Sequence, residues 1–158
     1  MIGLLRKLPW AIRVAKRWET AVDRAAHQKY EEASNILQQL AGDYGGEIGS
    51  KEVPYFVNLL AADLLRKLGT HSQSISVALV AVSQVNSDKR LSEFEKMYLN
   101  YHAGQGIHRS IIQSQDASYD PLKDIDVRFE EIVIEKIPRR LIQEFPIVDP
   151  KTGEVVRR

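Results

Sequence analysis

The apolar set Val57, Leu60, Ala61, Leu64, Leu65 and Leu68 constrains this chain more than any other feature. Its members recur at i, i+3, i+4, i+7, i+8 and i+11, the spacing that gathers side chains on one face of a 3.6-residue helix. A strand would scatter the same residues over both faces. The spacing predicts a helix opened by Pro54 and ended by Gly69. Thr70 followed by Gln73 has the spacing of a capping box, so a further helix begins after a very short turn. Ile75, Ala78, Leu79, Val82 and Val85 are the expected buried face of that helix, although Val77, Val80 and Val82 would also suit a strand. So brief a connection favours an antiparallel helix pair.

Helical spacing continues on both sides. Upstream, Trp10, Val14, Trp18, Val22 and Ala25 form one stripe after Pro9. Tyr30, Ala33, Leu37 and Leu40 form the next, with Gly42 as its expected stop and a glycine-rich loop over 42–50. Downstream, Ser92 and Glu95 make a second capping box, opening a helix through Phe94, Met97, Tyr98 and Tyr101. Gly104 and Gly106 each cost a helix about 1 kcal/mol relative to alanine. Either that helix ends near His102 or another helix packs closely there, with Ile107, Ile111 and Ile112 able to extend its apolar face. Residues 115–124 read as a polar break, and a further helix is expected from Asp126, interrupted by Pro138. Pro146-Ile147-Val148 and Glu154-Val155-Val156 flank a turn-forming Asp149-Pro150-Lys151-Thr152-Gly153. The expected fold is a single all-α domain over 1–158, an array of antiparallel helical hairpins. A separate basic segment over 1–9 and a small β-hairpin over 146–158 complete it.

Tyr30-Glu31-Glu32-Ala33, with Leu37 four positions after Ala33, resembles the opening of the second helix of a tetratricopeptide repeat. Trp18, Ala21, Val22 and Ala25 keep the spacing of that family's first helix, and the resemblance covers about one hairpin. It implies a partner-binding scaffold, since the family is known for protein recognition rather than chemistry.

Composition narrows the function classes. Twenty-two basic residues against 21 acidic ones leave no global field to hold a phosphate backbone, so nucleic acid is not an expected partner. The absence of cysteine removes disulfides, thiol catalysis and thiolate metal sites, and fits the reducing cytoplasm. The longest apolar run, Val77 to Val82, is far short of the roughly 20 residues a spanning helix needs, and no secretory apolar region accompanies the basic N-terminus.

No motif for catalysis, metal or phosphate stands out, and no cofactor is expected. His102 and His108 lie about 120° apart on a helix and would not converge on an ion. Asp116, Asp120, Asp124 and Asp126 lack the ligand spacing of a calcium loop. The glycines from 42 to 49 are not followed by the lysine of a phosphate loop. An enzyme would need His71, His102 or His108 brought to a carboxylate by folding. Two surfaces remain. Tyr55, Phe56 and Leu59 lie on or beside the face opposite the main stripe of their helix and need a second neighbour. Tyr55, Leu59, Tyr98 and Tyr101 are thus the candidate anchors for a protein or peptide partner, with rim charges orienting it. The second surface is basic: Arg6, Lys7, Trp10, Arg13, Lys16 and Arg17 precede the first acidic residue, Glu19, and could meet an anionic membrane or an acidic protein face. The acid-rich stretch from Asp116 to Glu135 adds self-association into a homo-oligomer as a further expectation.

Overall fold

The computed structural model describes residues 8–115 together with Phe145. Among these residues the fold is all-helical, with five helices and no strand: α1 (Leu8–Ala26), α2 (Tyr30–Asp43), α3 (Tyr55–Lys67), α4 (His71–Ser87) and α5 (Glu93–Gln115). Residues 1–7, the polar break, the expected helix from Asp126 and the expected hairpin over 146–158 lie outside the described residues. Consecutive helices touch, and α3 also packs on α1 and α5.

Three helices stop in the same way. At each end, the residue two beyond the cap donates to the carbonyl five positions back, and the residue before it to the carbonyl three back: Lys29 to Arg24 and Gln28 to Ala25, Gly46 to Ala41 and Gly45 to Gly42, Thr70 to Leu65 and Gly69 to Arg66. This double closure satisfies carbonyls left over at a helix end, and it needs a left-handed residue just past the cap. Gly45 and Gly69 take that conformation at φ +80° and +84°, and Gln28 takes it at φ +61° despite its Cβ. The stop of α2 is therefore Gly45, not the expected Gly42, which is inside the helix.

The other boundaries divide. The Ser92 capping box is formed, with the Glu95 amide donating to Ser92 Oγ and the Ser92 amide donating to a Glu95 carboxylate oxygen. The Thr70 box is not, because Thr70 makes no side-chain capping bond; its backbone is taken up in closing α3. The helix that might have ended near His102 continues through Gly104 and Gly106 to Gln115.

Helix α3 is the centre of the core. Val57, Leu60, Ala61, Leu64 and Leu65 are buried as their spacing required, but so are Asn58, Leu59 and Ala62 from the other side. A helix apolar almost all round is surrounded by its own domain. Helix α4 is rotated from the expected orientation: Ser74, Val77, Ala78, Ala81 and Val85 are buried, while Leu79 is exposed. Small side chains on that face let α4 approach α3, and Ser74 donates a 2.6 Å hydrogen bond to the Ala62 carbonyl. Both residues are buried, so this bond removes two polar groups that would otherwise be costly to desolvate.

The loop between α2 and α3 is held from beneath. Asn58, fully buried, accepts from the Gly49 amide at 2.9 Å and donates toward the Val53 and Ser50 carbonyls and the Gln84 side-chain oxygen. Gln84 on α4 in turn donates to the Lys51 and Val53 carbonyls. Gly49 has φ +89°, and a Cβ there would lie 3.1 Å from Val77 Cγ2, so loop and helix meet where a side chain barely fits.

Candidate functional site

Helix α5 carries most of the candidate chemistry, and its faces do different work. Leu99, Ala103 and Ser110 are buried. One neighbouring stripe, Tyr98 and His102, meets α3 and Phe145. A further stripe is Phe94, Met97, Tyr101, Gly104, His108 and Ile111, at alternating spacings of three and four, with Tyr101 and His108 half-buried and the other four exposed. That alternation keeps one seam in line along a helix, as in coiled coils. Phe94, Met97 and Ile111 are 43%, 42% and 40% exposed, values unusual for large apolar side chains that share a line. Gly104 is exposed near the middle, with open space where a Cβ would stand.

Between α3 and α5 lies a polar contact. His102 Nε2 donates to Asp63 Oδ2 at 2.7 Å, and Arg66 approaches the other Asp63 oxygen at 4.0 Å. The His102 and Asp63 side chains are only 13% and 23% exposed. Burial works against ionisation of Asp63, but the attraction and hydrogen bond of His102, with Arg66 and Lys67, outweigh it and hold the carboxyl below its ordinary range. Lys67 is shifted downward, first by desolvation and then by repulsion from Arg66 and Arg109, with Asp63 opposing. Its ammonium stands 5.9 Å from the centre of the Tyr30 ring. Folding thus joins one histidine to a carboxylate, which sequence spacing did not reveal because positions 63 and 102 sit on different helices. An ionised carboxylate fixes the imidazole proton on Nε2, orienting the ring. His71 is the first residue of α4, and His108 lies six positions beyond His102 on α5. Among the described residues no three metal-ligating side chains converge.

The expected partner anchors separate. Leu59 and Tyr98 are each 1% exposed and belong to the core, so they are corrected from surface anchors to packing residues. Their missing neighbour is the rest of this domain. Tyr55 and Tyr101 are half-buried, Tyr55 standing edge-on to Phe56 at 5.8 Å. Spacing alone does not separate Phe94, Met97 and Tyr101 from the buried Tyr98 beside them, because the four straddle two faces of α5.

On the basic surface, Arg13 and Lys16 are exposed, while Arg17 is half-buried and ion-paired with Asp43 of α2. These four residues and Val14 line an open groove. Arg6 and Lys7 lie outside the described residues, and Trp10 falls in the first turns of α1. Trp18 and Ala21 are buried, with Val14, Val22 and Ala25 packed on the core, so the apolar side of α1 is engaged within the domain. No described helix is long and apolar enough to cross a membrane.

No protein-family model, curated protein or solved structure matches the chain. The geometry of these surfaces therefore carries the functional argument alone.

Proposed function

We propose that this chain is a noncatalytic protein-interaction module that binds a helix of a partner protein along the outward face of α5. The observation that supports this most is the seam of Phe94, Met97, Tyr101, Gly104, His108 and Ile111. Over 17 positions it would run about 25 Å along the helix axis, room for several turns of a second helix. Exposed Gly104 permits a close backbone approach, and methionine adapts its shape to what it meets. The single small residue, Gly104, among five large ones calls for a bulky side chain opposite it on the partner helix.

The architecture we assign to this module is a series of antiparallel helical hairpins. Connections confined to residues 27–29, 68–70 and 88–92, between helices that touch, support it. The tetratricopeptide-like spacing across α1 and α2 points to the same class of scaffold. A cytoplasmic setting agrees with the cysteine-free sequence.

The test is comparative capture by the full chain and by its Met97→Asp/Ile111→Asp variant. Both side chains are exposed, so the variant is expected to fold, with an unchanged helical spectrum. Proteins retained by the wild type should be lost from it. Identical retention by the two chains would reject the seam, and a wild-type dimer dispersed by the variant would reassign it to self-association.

A second reading, contact with an anionic membrane through Arg13 and Lys16, rests on the exposed groove. With its apolar stripe engaged in the core, the described part of α1 could contribute charge but little insertion. Cosedimentation with anionic vesicles that is unaffected by Arg13→Ala/Lys16→Ala would eliminate that reading.

A further inference from the structure

The open groove beside α1 has a volume of about 590 Å³, inside the range of about 300–1,000 Å³ that small-molecule sites occupy. Arg13, Lys16 and Arg17 line it from one side of α1, at i, i+3 and i+4. Val14 adds an apolar patch, and Asp43, the last residue of α2, completes the lining. Like charges four positions apart, as Arg13 and Arg17 are, work against the helix that carries them, so the cluster is not explained by the stability of α1. Arg17 is half-buried and meets Asp43 through Nη1, which positions a guanidinium that has further donors on Nε and Nη2. That pair uses the groove's one carboxylate. Lys16 is exposed and has no acid among the groove residues to match it, whatever Arg13 contacts elsewhere. Arginine and lysine side chains donate hydrogen bonds and accept none, so the groove calls for a ligand rich in acceptor oxygens and negative charge.

We propose that Lys16 and Arg17, with Arg13, bind the phosphate group of a small soluble monoester whose organic part lies against Val14. Arg17 meets the phosphate oxygens with the donors that Asp43 leaves over, and Lys16 adds a point charge. The ester is placed in solution rather than in a bilayer because the apolar side of α1 is engaged in the core through Trp18 and Ala21, which leaves little to insert. The site does not depend on the α5 seam, and it competes with the membrane reading for the same cations.

The experiment titrates the full isotope-labelled chain with phenyl phosphate at fixed ionic strength, following backbone amides at about pH 7.5, where a monoester with its second pKa near 6 is doubly charged. Saturable shifts are expected at Val14, Lys16, Arg17 and Asp43. Phenylsulfonate has a similar shape and one charge less, and should bind about fivefold weaker or more, the worth of one charge pair near 4 Å in water. Lys16→Gln, a change at an exposed position that leaves the helical spectrum intact, should weaken phenyl phosphate by a similar factor. No saturable shift, equal binding of phenylsulfonate, or undiminished binding by Lys16→Gln would overturn the proposal. Vesicles of phosphatidylcholine and phosphatidic acid separate the sources: a chain that sediments with them yet ignores phenyl phosphate would overturn it in favour of a lipid headgroup.

Discussion

Replacing Asn58 with alanine should cost this fold about 3–5 kcal/mol, far more than the removal of one polar side chain from a surface. The magnitude follows from what the amide holds. Its two shortest bonds, to the Gly49 amide and the Gln84 side-chain oxygen, are each 2.9 Å, and a net contribution of about 1 kcal/mol apiece is ordinary for such bonds. Alanine also leaves the part-buried Gly49 N–H without its acceptor, and an unsatisfied donor costs about 1–3 kcal/mol. The Val53 carbonyl is spared, since Gln84 Nε2 still donates to it at 2.6 Å. Equilibrium urea denaturation of wild type, Asn58→Ala, Gln84→Ala and the double variant would measure the loss and the coupling. The two single losses should sum to clearly more than the double loss, because both side chains serve one loop. Amide exchange at Gly49 should accelerate more than exchange in the middle of α5. A loss below about 1 kcal/mol, or strictly additive variants, would refute the idea that this buried pair clamps the loop.

Asp63→Asn should destabilise by about 2–4 kcal/mol near neutral pH, since it leaves His102 and Arg66 without their buried carboxylate. Because the folded-state pKa of Asp63 is depressed, its stabilisation is complete above the unfolded value, about 3.9, and disappears as pH falls through the lower folded value. Urea midpoints of the two chains should converge in acid; a gap that widens there would have the wrong sign. Gln28→Gly should raise stability by about 0.5–1 kcal/mol in thermal or urea unfolding, relieving a Cβ at positive φ, and a net loss would count against strain at that helix end. Leu59→Ala should cost about 2–5 kcal/mol as a core truncation; near-neutral unfolding would return Leu59 to the surface.

The residues that could be read directly from sequence are those whose neighbours lie within one helix. The α3 stripe from Val57 to Leu65, the Gly69 stop and the Ser92 capping box depend on spacings of three to five positions, and each is present. Leu68, the last member expected of the stripe, caps the helix and is exposed. The rotation of α4 was not legible. Leu79 is more apolar than Ser74 or Ala81, yet contact with α3 rewards small residues and a hydroxyl placed at the Ala62 carbonyl. Length failed at α5 for a related reason, since about 1 kcal/mol of propensity lost at each of Gly104 and Gly106 is small beside the burial of Leu99 and Ala103 before them and the packing of Ile107 on the core after them. Of the candidate site, the exposed α5 residues Phe94 and Met97 and the half-buried Tyr101 were visible as apolar positions. Their separation from Tyr98 into a distinct seam required knowing which side α3, α4 and Phe145 occupy. The His102 to Asp63 bond spans two helices and has no local signature.

Placing a photoreactive amino acid at position 97 of the full chain, and separately at position 16, would test partner recognition by α5 most directly. In its native cell the chain labelled at 97 should give a discrete covalent adduct with a protein whose linked peptide has amphipathic helical spacing, and the chain labelled at 16 should not. An adduct formed from position 16 while position 97 gives none would contradict the account.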